Sequence, residues 1–368
     1  MKRFQCQACG QPLHFEDTVC QSCQRSVGYL TEFETMAALE PAEKGWRVFA
    51  DGASVYRPCD NKKYDVCNWL VPADAEERFC EACRHNRTIP FLGAPDNLAH
   101  WRKIELSKHR LIYTLLRLGL PLTTRAEASN GLVFDFLAAA DAPVMTGHAD
   151  GAITINIAEA DDAERERIRG RMGEPHRTLL GHFRHESGHY YWGLLVRSDD
   201  SKLDAFRSIF GDERQDYANA LQQYYRLGPP ADWRDSFVTT YASAHPWEDF
   251  AETWAHYLHI ADTLETASAF GLAMHSPHPQ TDQRSVAIDF DPRDADLARL
   301  IDAWLPMTFT VNSINRSMGL PDLYPFVLSP RIIIKLAFVH EQIHPKRAAR
   351  DDNGAIRAVI AGLRRAIG

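Results

Sequence analysis

The chain has 368 residues, 45% of them hydrophobic and 24% charged, with a formal net charge of −8 and an isoelectric point near 6.1. That is enough apolar material for a real core, arranged as one large domain with a small one or as two or three modest ones. The negative balance argues against broad charge-driven DNA binding, which needs a positive face, though a local basic patch stays open. No apolar run approaches a membrane span. MKRFQCQACG at the start is basic but is followed by no apolar stretch, so no secretory signal is expected. A cytoplasmic protein is expected, in which thiols stay reduced and cysteines serve better as metal ligands than as disulfides.

All eight cysteines lie in the first quarter of the chain. This segregation predicts a separate N-terminal module over residues 1–90. Cys6, Cys9, Cys20 and Cys23 form C-x2-C-x10-C-x2-C. Each C-x-x-C makes a tight turn that aims two thiolates at one point, and two turns close a tetrahedron around a structural zinc. Four thiolates leave no open position for catalysis. Cys59, Cys67, Cys80 and Cys83 form the looser C-x7-C-x12-C-x2-C and point to a second structural zinc. His85 is a possible substitute ligand, and crosswise sharing of ligands between the two sets stays open. So small a module, with few large apolar runs, needs such staples to fold.

Residues 84–97 are rich in Pro, Gly and Asn and read as a linker. A helix is predicted over Leu98–Leu118, with Trp101, Ile104, Leu111, Leu115 and Leu118 on one stripe, ended by Gly119 and Pro121. GLVFDFLAA and GAITINIAEA read as strands; in the second, Ile153, Ile155 and Ile157 alternate with Thr154 and Asn156. A charged segment then leads into a helix containing HFRHESGHYYW. Its core, His185-Glu186-Ser187-Gly188-His189, fits H-E-x-x-H. Positions four apart share a helix face, so two imidazoles can point at one metal with Glu186 beside them. The bland alternative is a histidine-rich helix face, and a third ligand is needed to decide.

From Ser201 onward the pattern is mostly helical, with helices expected over 246–269, 293–304 and 330–343. Strands followed by a metal-bearing helix suit an α+β domain over 91–345 with a small sheet. The tail 346–368 is basic and amphipathic, and reads as a short helix packed on the domain. Within WEDFAETWAHY, Glu248 and Glu252 are four apart. Glu248 as third ligand and Glu252 as hydrogen-bond acceptor for a ligating histidine would give both acids a task, against the alternative of a solvated acidic face. Tyr241, seven residues before Glu248, is placed to stabilise an oxyanion or simply to pack. His182, His245, His256 and His259 read as surface or supporting residues, and Arg316 as the partner of a structural acid.

At these residues the chain resembles the gluzincin metallopeptidases, which combine H-E-x-x-H on one helix with a Glu on a later one. TTYASAHPWEDFAETW is similar to the Tyr-then-E-x-F-A-E stretch of the anthrax lethal factor type of peptidase. That resemblance implies Glu248 as zinc ligand and Tyr241 as catalytic helper, with Glu252 matching the second Glu. Nearly the whole chain also resembles a bacterial family of zinc-binding metallopeptidases with an N-terminal zinc ribbon, through VCNWLVPAD, FCEACRHNRTIP, HPWEDFAETWAHYLHI and NSINRSMGLPDLYPFVLSP. The resulting expectation is a peptidase with one catalytic and two structural Zn²⁺. His185, His189 and Glu248 hold the catalytic metal, water takes the fourth position, and Glu186 is the general base. Its partners are a peptide or protein substrate and, through the ribbons, a possible protein; nucleic acid and membrane are not expected. The alternative is a zinc-ribbon protein- or nucleic-acid-binding protein on an inactive zincin-like scaffold.

Overall fold

A computed structural model describes residues 1–49, 54–138, 144–172, 178–275 and 285–345. The fold is α+β: two cysteine clusters and small sheets come first, and a helix-rich region follows. By packing, the chain forms two compact units. One runs from Lys2 to Met172 and takes in the segment that ends at Phe183; the other begins at Arg184. The basic tail read over 346–368 lies outside the described residues.

In the first unit, a two-stranded hairpin (β1, Phe4–Gln5; β2, Pro12–Leu13) carries the first cysteine turn. Next comes a five-stranded antiparallel meander, β3 (Val27–Leu30), β4 (Thr35–Ala42), β5 (Gly45–Val48), β6 (Val55–Pro58) and β7 (Leu70–Pro72). Its core is aromatic. Tyr29 lies 4.6 Å from Trp69 and 5.0 Å from Phe15, and Phe15 lies 5.3 Å from Tyr113, centroid to centroid. Edge and tilted ring contacts of this kind add to the area that the rings bury.

Residues read as a linker contain a strand instead: β8 (Asn86–Thr88) follows Cys83 almost directly and pairs with β9 (Val133–Leu137). Its polar sequence, Asn-Arg-Thr, gives no alternation of apolar residues. Its side chains are used as ligands of ion pairs and hydrogen bonds, with Arg87 and Thr88 both bound to Asp135. α1 (Asn97–Arg117) then buries Trp101, Ile104, Leu111 and Leu115. The second sheet has the order β10 (Gly147–Ala149), β11 (Ala152–Asn156), β9 (Val133–Leu137), β8, with β11 and β8 both parallel to β9. Ile153 and Ile155 stand opposite Phe134 and Phe136, and all four are buried. α2 (Asp162–Met172) and the start of α3 (Leu179–Leu195) follow. Phe183, in the part of α3 that belongs to this unit, packs edge-on against Phe134 at 5.7 Å.

The second unit holds the rest of α3, then α4 (Asp200–Phe210), α5 (Tyr217–Leu227), α6 (Pro246–Ala269), a small hairpin (β12, Ala273–Met274; β13, Val286–Ala287), α7 (Leu297–Ser317) and α8 (Pro330–Ile343). The helix starts are written locally. His245 accepts from the backbone N–H of Trp247 ahead of Pro246, and Ser329 accepts from that of Ile332 ahead of Pro330. α7 starts four residues later than expected and runs on to Ser317, through Pro306. A proline inside a helix usually marks its end, but buried Leu300, Ile301, Trp304 and Met307 form one packed stripe that carries the helix across it.

α6 is the centre of this unit. It buries Phe250, Ala251, Trp254, Tyr257 and Leu258. Trp254 stacks on Tyr191 of α3 at 5.0 Å and donates through Nε1 to the Ser187 hydroxyl at 3.1 Å. At Gly188 the two helices nearly touch: a β-carbon there would come within 2.8 Å of Ala251 Cα and 3.2 Å of Trp254 Cβ. Glycine in mid-helix costs about 1 kcal/mol relative to alanine, and here that loss allows the close approach. Overpacking a backbone contact typically costs about 1–3 kcal/mol. Gly188→Ala should therefore be destabilising by up to about 2 kcal/mol in urea denaturation after the helix-propensity gain is subtracted. Stability equal to or above that of the parent chain would show that α3 and α6 can separate freely.

Candidate metal centre and active site

The first cysteine set is assembled as one cluster. Cys6, Cys9, Cys20 and Cys23 present their sulfurs within 4.8 Å of one another. Cys6 lies 3.6 Å from Cys23, and Cys9 lies 3.6 Å from Cys20. A tetrahedral Zn²⁺ with sulfurs at about 2.3 Å requires S···S separations of about 3.7 Å. Cys59, Cys67, Cys80 and Cys83 make the second cluster, with Cys67 and Cys80 also 3.6 Å apart. The ligands are therefore not shared crosswise. His85 is no substitute ligand: it is fully buried and its Nδ1 donates to the carbonyl of Leu132 at 2.8 Å.

The second cluster is buried at all four positions. Burial pushes the Cys67 and Cys80 thiols far above the ordinary thiol range. Four thiolates in such a place need a cation, and a dication fits the donor set. The surroundings add polar support from α1. His109 Nδ1 donates to the carbonyl of Glu105 at 2.7 Å, which turns its Nε2 to within 3.3 Å of Cys67 Sγ. Buried Lys108 pairs with Glu105 at 2.8 Å. Cys83, Glu105 and His109 also lie close enough together to resemble a metal set. That set shares Cys83 with the cluster, and its Glu105 is already paired with Lys108.

The third donor set joins two helices of the second unit. His185 and His189, one turn apart on α3, hold their rings 5.1 Å apart. Glu248, in the first turn of α6, is 1% exposed. Its Oε2 lies 3.0 Å from His185 Nε2 and 3.6 Å from His189 Nε2. Donors at about 2.0–2.1 Å from a tetrahedral zinc would stand about 3.3 Å apart, and these two distances bracket that value. Oε2 is buried and accepts no hydrogen bond of acceptable geometry. An orphaned carboxylate oxygen facing two imidazole nitrogens fits a bound cation. Burial alone would raise the Glu248 carboxyl, but the imidazoles of His189 and His185 outweigh it and hold the group well below the usual carboxylate range.

Other predicted residues surround this set. Glu252, one turn further along α6, places Oε1 2.5 Å from Nδ1 of His185. Glu186 is 6% exposed and sits between the two histidines in sequence. It acts electrostatically on the phenols of Tyr217 and Tyr241. Tyr241 opens the short turn Tyr241–Ala244 just before α6, with its ring 5.9 Å from that of His185. Burial, with Glu248 nearby, pushes its phenol far above the ordinary range. It therefore stays a hydroxyl, able to donate.

The remaining candidates sit elsewhere. His182 pairs with Glu159 at 2.6 Å in the first unit. His256 bonds the Tyr324 hydroxyl at 2.6 Å, and His259 accepts from Arg184 at 2.5 Å. His245 is the cap of α6. Arg316 forks onto Asp322 at 2.6 and 2.7 Å. Sequence reasoning missed two residues. Gly188 was readable in principle, since a glycine inside a helix signals a packing need. Tyr217, whose hydroxyl donates to Glu248 Oε1 at 2.6 Å, comes from a distant segment and left no signal.

Comparison with known proteins bears on this arrangement. A family model described as "Putative zinc-binding metallo-peptidase" matches residues 97–342. The chain belongs to this zinc-binding metallo-peptidase family. A zinc-ribbon domain model matches residues 3–94 of the same metallo-peptidase family member, over both cysteine clusters. Uncharacterized proteins of Mycobacterium bovis and of Mycobacterium tuberculosis are each 43% identical to it over 341 residues, 92% of this chain and 94% of the relative. No solved structure matches the chain. Among the described residues no helix is long and apolar enough to cross a membrane.

Among the described residues, three separate donor sets, two of four cysteines and one of two histidines and a glutamate, make a stoichiometric expectation. The cysteine sets are closed by four protein ligands, whereas the third has only three. A moderate chelator should remove one zinc per chain readily and leave two, as counted by elemental mass spectrometry. Release of all zinc in one step, or a starting count of two, would contradict this assignment.

Proposed function

We propose that the chain is a zinc-dependent peptidase of gluzincin type, with a site similar to that of the anthrax lethal factor group. The observation that carries this reading is the convergence of His185, His189 and the orphaned Oε2 of Glu248, with Glu186 on the same helix turn. His185, His189 and Glu248 would hold the metal, and the two cysteine clusters would each hold a structural zinc. Bound there, Zn²⁺ supplies Lewis acidity: it polarises a scissile carbonyl and makes water acidic enough to attack near neutral pH.

The chain's own residues do the rest. A carboxylate oxygen of Glu186 takes a proton from the attacking water and passes it to the departing amine nitrogen. Glu252 accepts Nδ1–H of His185, which fixes the tautomer and leaves Nε2 with its lone pair toward the centre. Tyr241, held as a phenol, donates to the carbonyl oxygen as that oxygen gains negative charge. The substrate is a peptide or protein. The eight cysteines, used as metal ligands, suit a reducing, cytoplasmic setting, and the ribbons are a candidate surface for a protein partner.

The test is a peptide-library digest with zinc counting in parallel. Glu186→Gln should keep all bound zinc and lose hydrolysis by roughly 10²–10⁴-fold, the usual weight of a general acid–base. Full activity in that variant would sink the mechanism. Tyr241→Phe should lower kcat with little change in KM, because its hydroxyl is used only as charge develops; an effect confined to KM would count against it.

A further inference from the structure

α5 is an unusual neighbour for a buried metal centre. None of its residues is buried. Tyr217 at its start is 36% exposed, and Tyr225 and Leu227 at its end are 60% and 71% exposed. Tyr217 nonetheless reaches inward. Its ring stands edge-on to His245 at 5.1 Å and lies 5.9 Å from Trp247, and its hydroxyl donates to Glu248 Oε1 at 2.6 Å. Asp216 accepts from the N–H of Asn219, which fixes the helix start and hence the direction of Tyr217.

The two oxygens of Glu248 therefore face different partners. Oε1 is taken by the phenol, and Oε2 faces His185 and His189 with no hydrogen bond. A carboxylate without such a partner is free to turn either oxygen, or both, toward a cation. We propose that Tyr217 is a positioning residue for the catalytic metal: its hydroxyl occupies Oε1 and commits Oε2 alone to the zinc. This inference rests on the zinc reading of His185, His189 and Glu248. It has two physical consequences. Single-oxygen ligation by Glu248 keeps a coordination position available for the reaction. The same hydrogen bond anchors an otherwise exposed helix beside the site, and the ring of Tyr224 on that helix meets Tyr241 edge-on at 5.8 Å.

Tyr217→Phe removes one oxygen and keeps the ring packing. The experiment is a competition titration of the full-length zinc-loaded protein against a chelator of known affinity, with zinc counted per chain, on the parent, Tyr217→Phe, Tyr225→Phe and Glu248→Ala. Tyr217→Phe should weaken one zinc by about 10–100-fold, the usual cost of losing a partner to a metal ligand. The two cysteine-bound zincs should be unmoved, which also reports that the chain is folded. Tyr225→Phe, at a residue of the same helix that is 60% exposed and is not placed on Glu248, should match the parent. Unchanged affinity in Tyr217→Phe, together with loss of one zinc in Glu248→Ala, would overturn the role of Tyr217 and leave the zinc site standing. Retention of every zinc in Glu248→Ala would overturn the site itself, and the proposal with it.

Discussion

A β-carbon at position 188 would meet the backbone of Ala251 at 2.8 Å, and the candidate centre depends on there being none. His185 and His189 are fixed to α3, and Glu248 is fixed to α6. The three meet only because these helices approach at a point without side-chain thickness. Ser187 and Trp254 then lock the approach, with the indole donating to the hydroxyl while the hydroxyl donates back to the Arg184 carbonyl. In H-E-x-x-H the two variable positions are usually passed over. Here Ser187 and Gly188 set the distance at which the side chains of the other three can meet Glu248.

Close packing brings an electrostatic problem. Glu248 is almost wholly buried, and an isolated carboxylate in such a place would be driven to its neutral form. The groups that directly face its two oxygens work against that outcome. Two imidazoles face Oε2 and a phenol donates to Oε1. On the far side, His185 is held by Glu252 through the nitrogen that does not face the centre. The neighbouring acid shows the contrast. Asp249 is equally buried and pairs with Lys335 at 2.6 Å, but burial outweighs that ammonium and pushes it up to about 7. Adjacent carboxylates on one helix thus differ because one faces a constellation and the other a single ammonium. The first arrangement is suited to a cation, and the second to holding α8 against α6.

How much of this was legible in the sequence follows from the range of the interactions. The helices over 246–269 and 330–343 were readable to the residue, because His-Pro and Ser-Pro starts and strong apolar stripes are local. The cysteine clusters were readable because C-x-x-C turns are local too. β8 was not, since Asn-Arg-Thr carries no strand pattern and is held by Asp135 some fifty residues away. The end of α7 was misplaced because packing outweighed Pro306. At the centre, the histidines and Glu186 come from one short motif. Glu248 and Glu252 needed a second motif and a resemblance. Tyr217 needed the fold, because only tertiary packing brings the start of α5 to Glu248.

The two kinds of metal set show how ligand choice divides labour along one chain. Four thiolates close a coordination sphere and suit a structural zinc coupled to folding, and α1 supports the second cluster from outside through His109 and Lys108. Two imidazoles and one carboxylate oxygen leave the sphere open. That openness is useful only if the ligands do not drift to fill it, which a second carboxylate oxygen would readily do. The hydrogen bond from Tyr217 to Glu248 Oε1 and that from His185 Nδ1 to Glu252 restrain both side chains from the side away from the point where Oε2 and the two Nε2 atoms converge. On the proposed zinc reading, reactivity at this centre would depend as much on Tyr217 and Glu252, which need touch neither metal nor substrate, as on the three residues whose atoms converge.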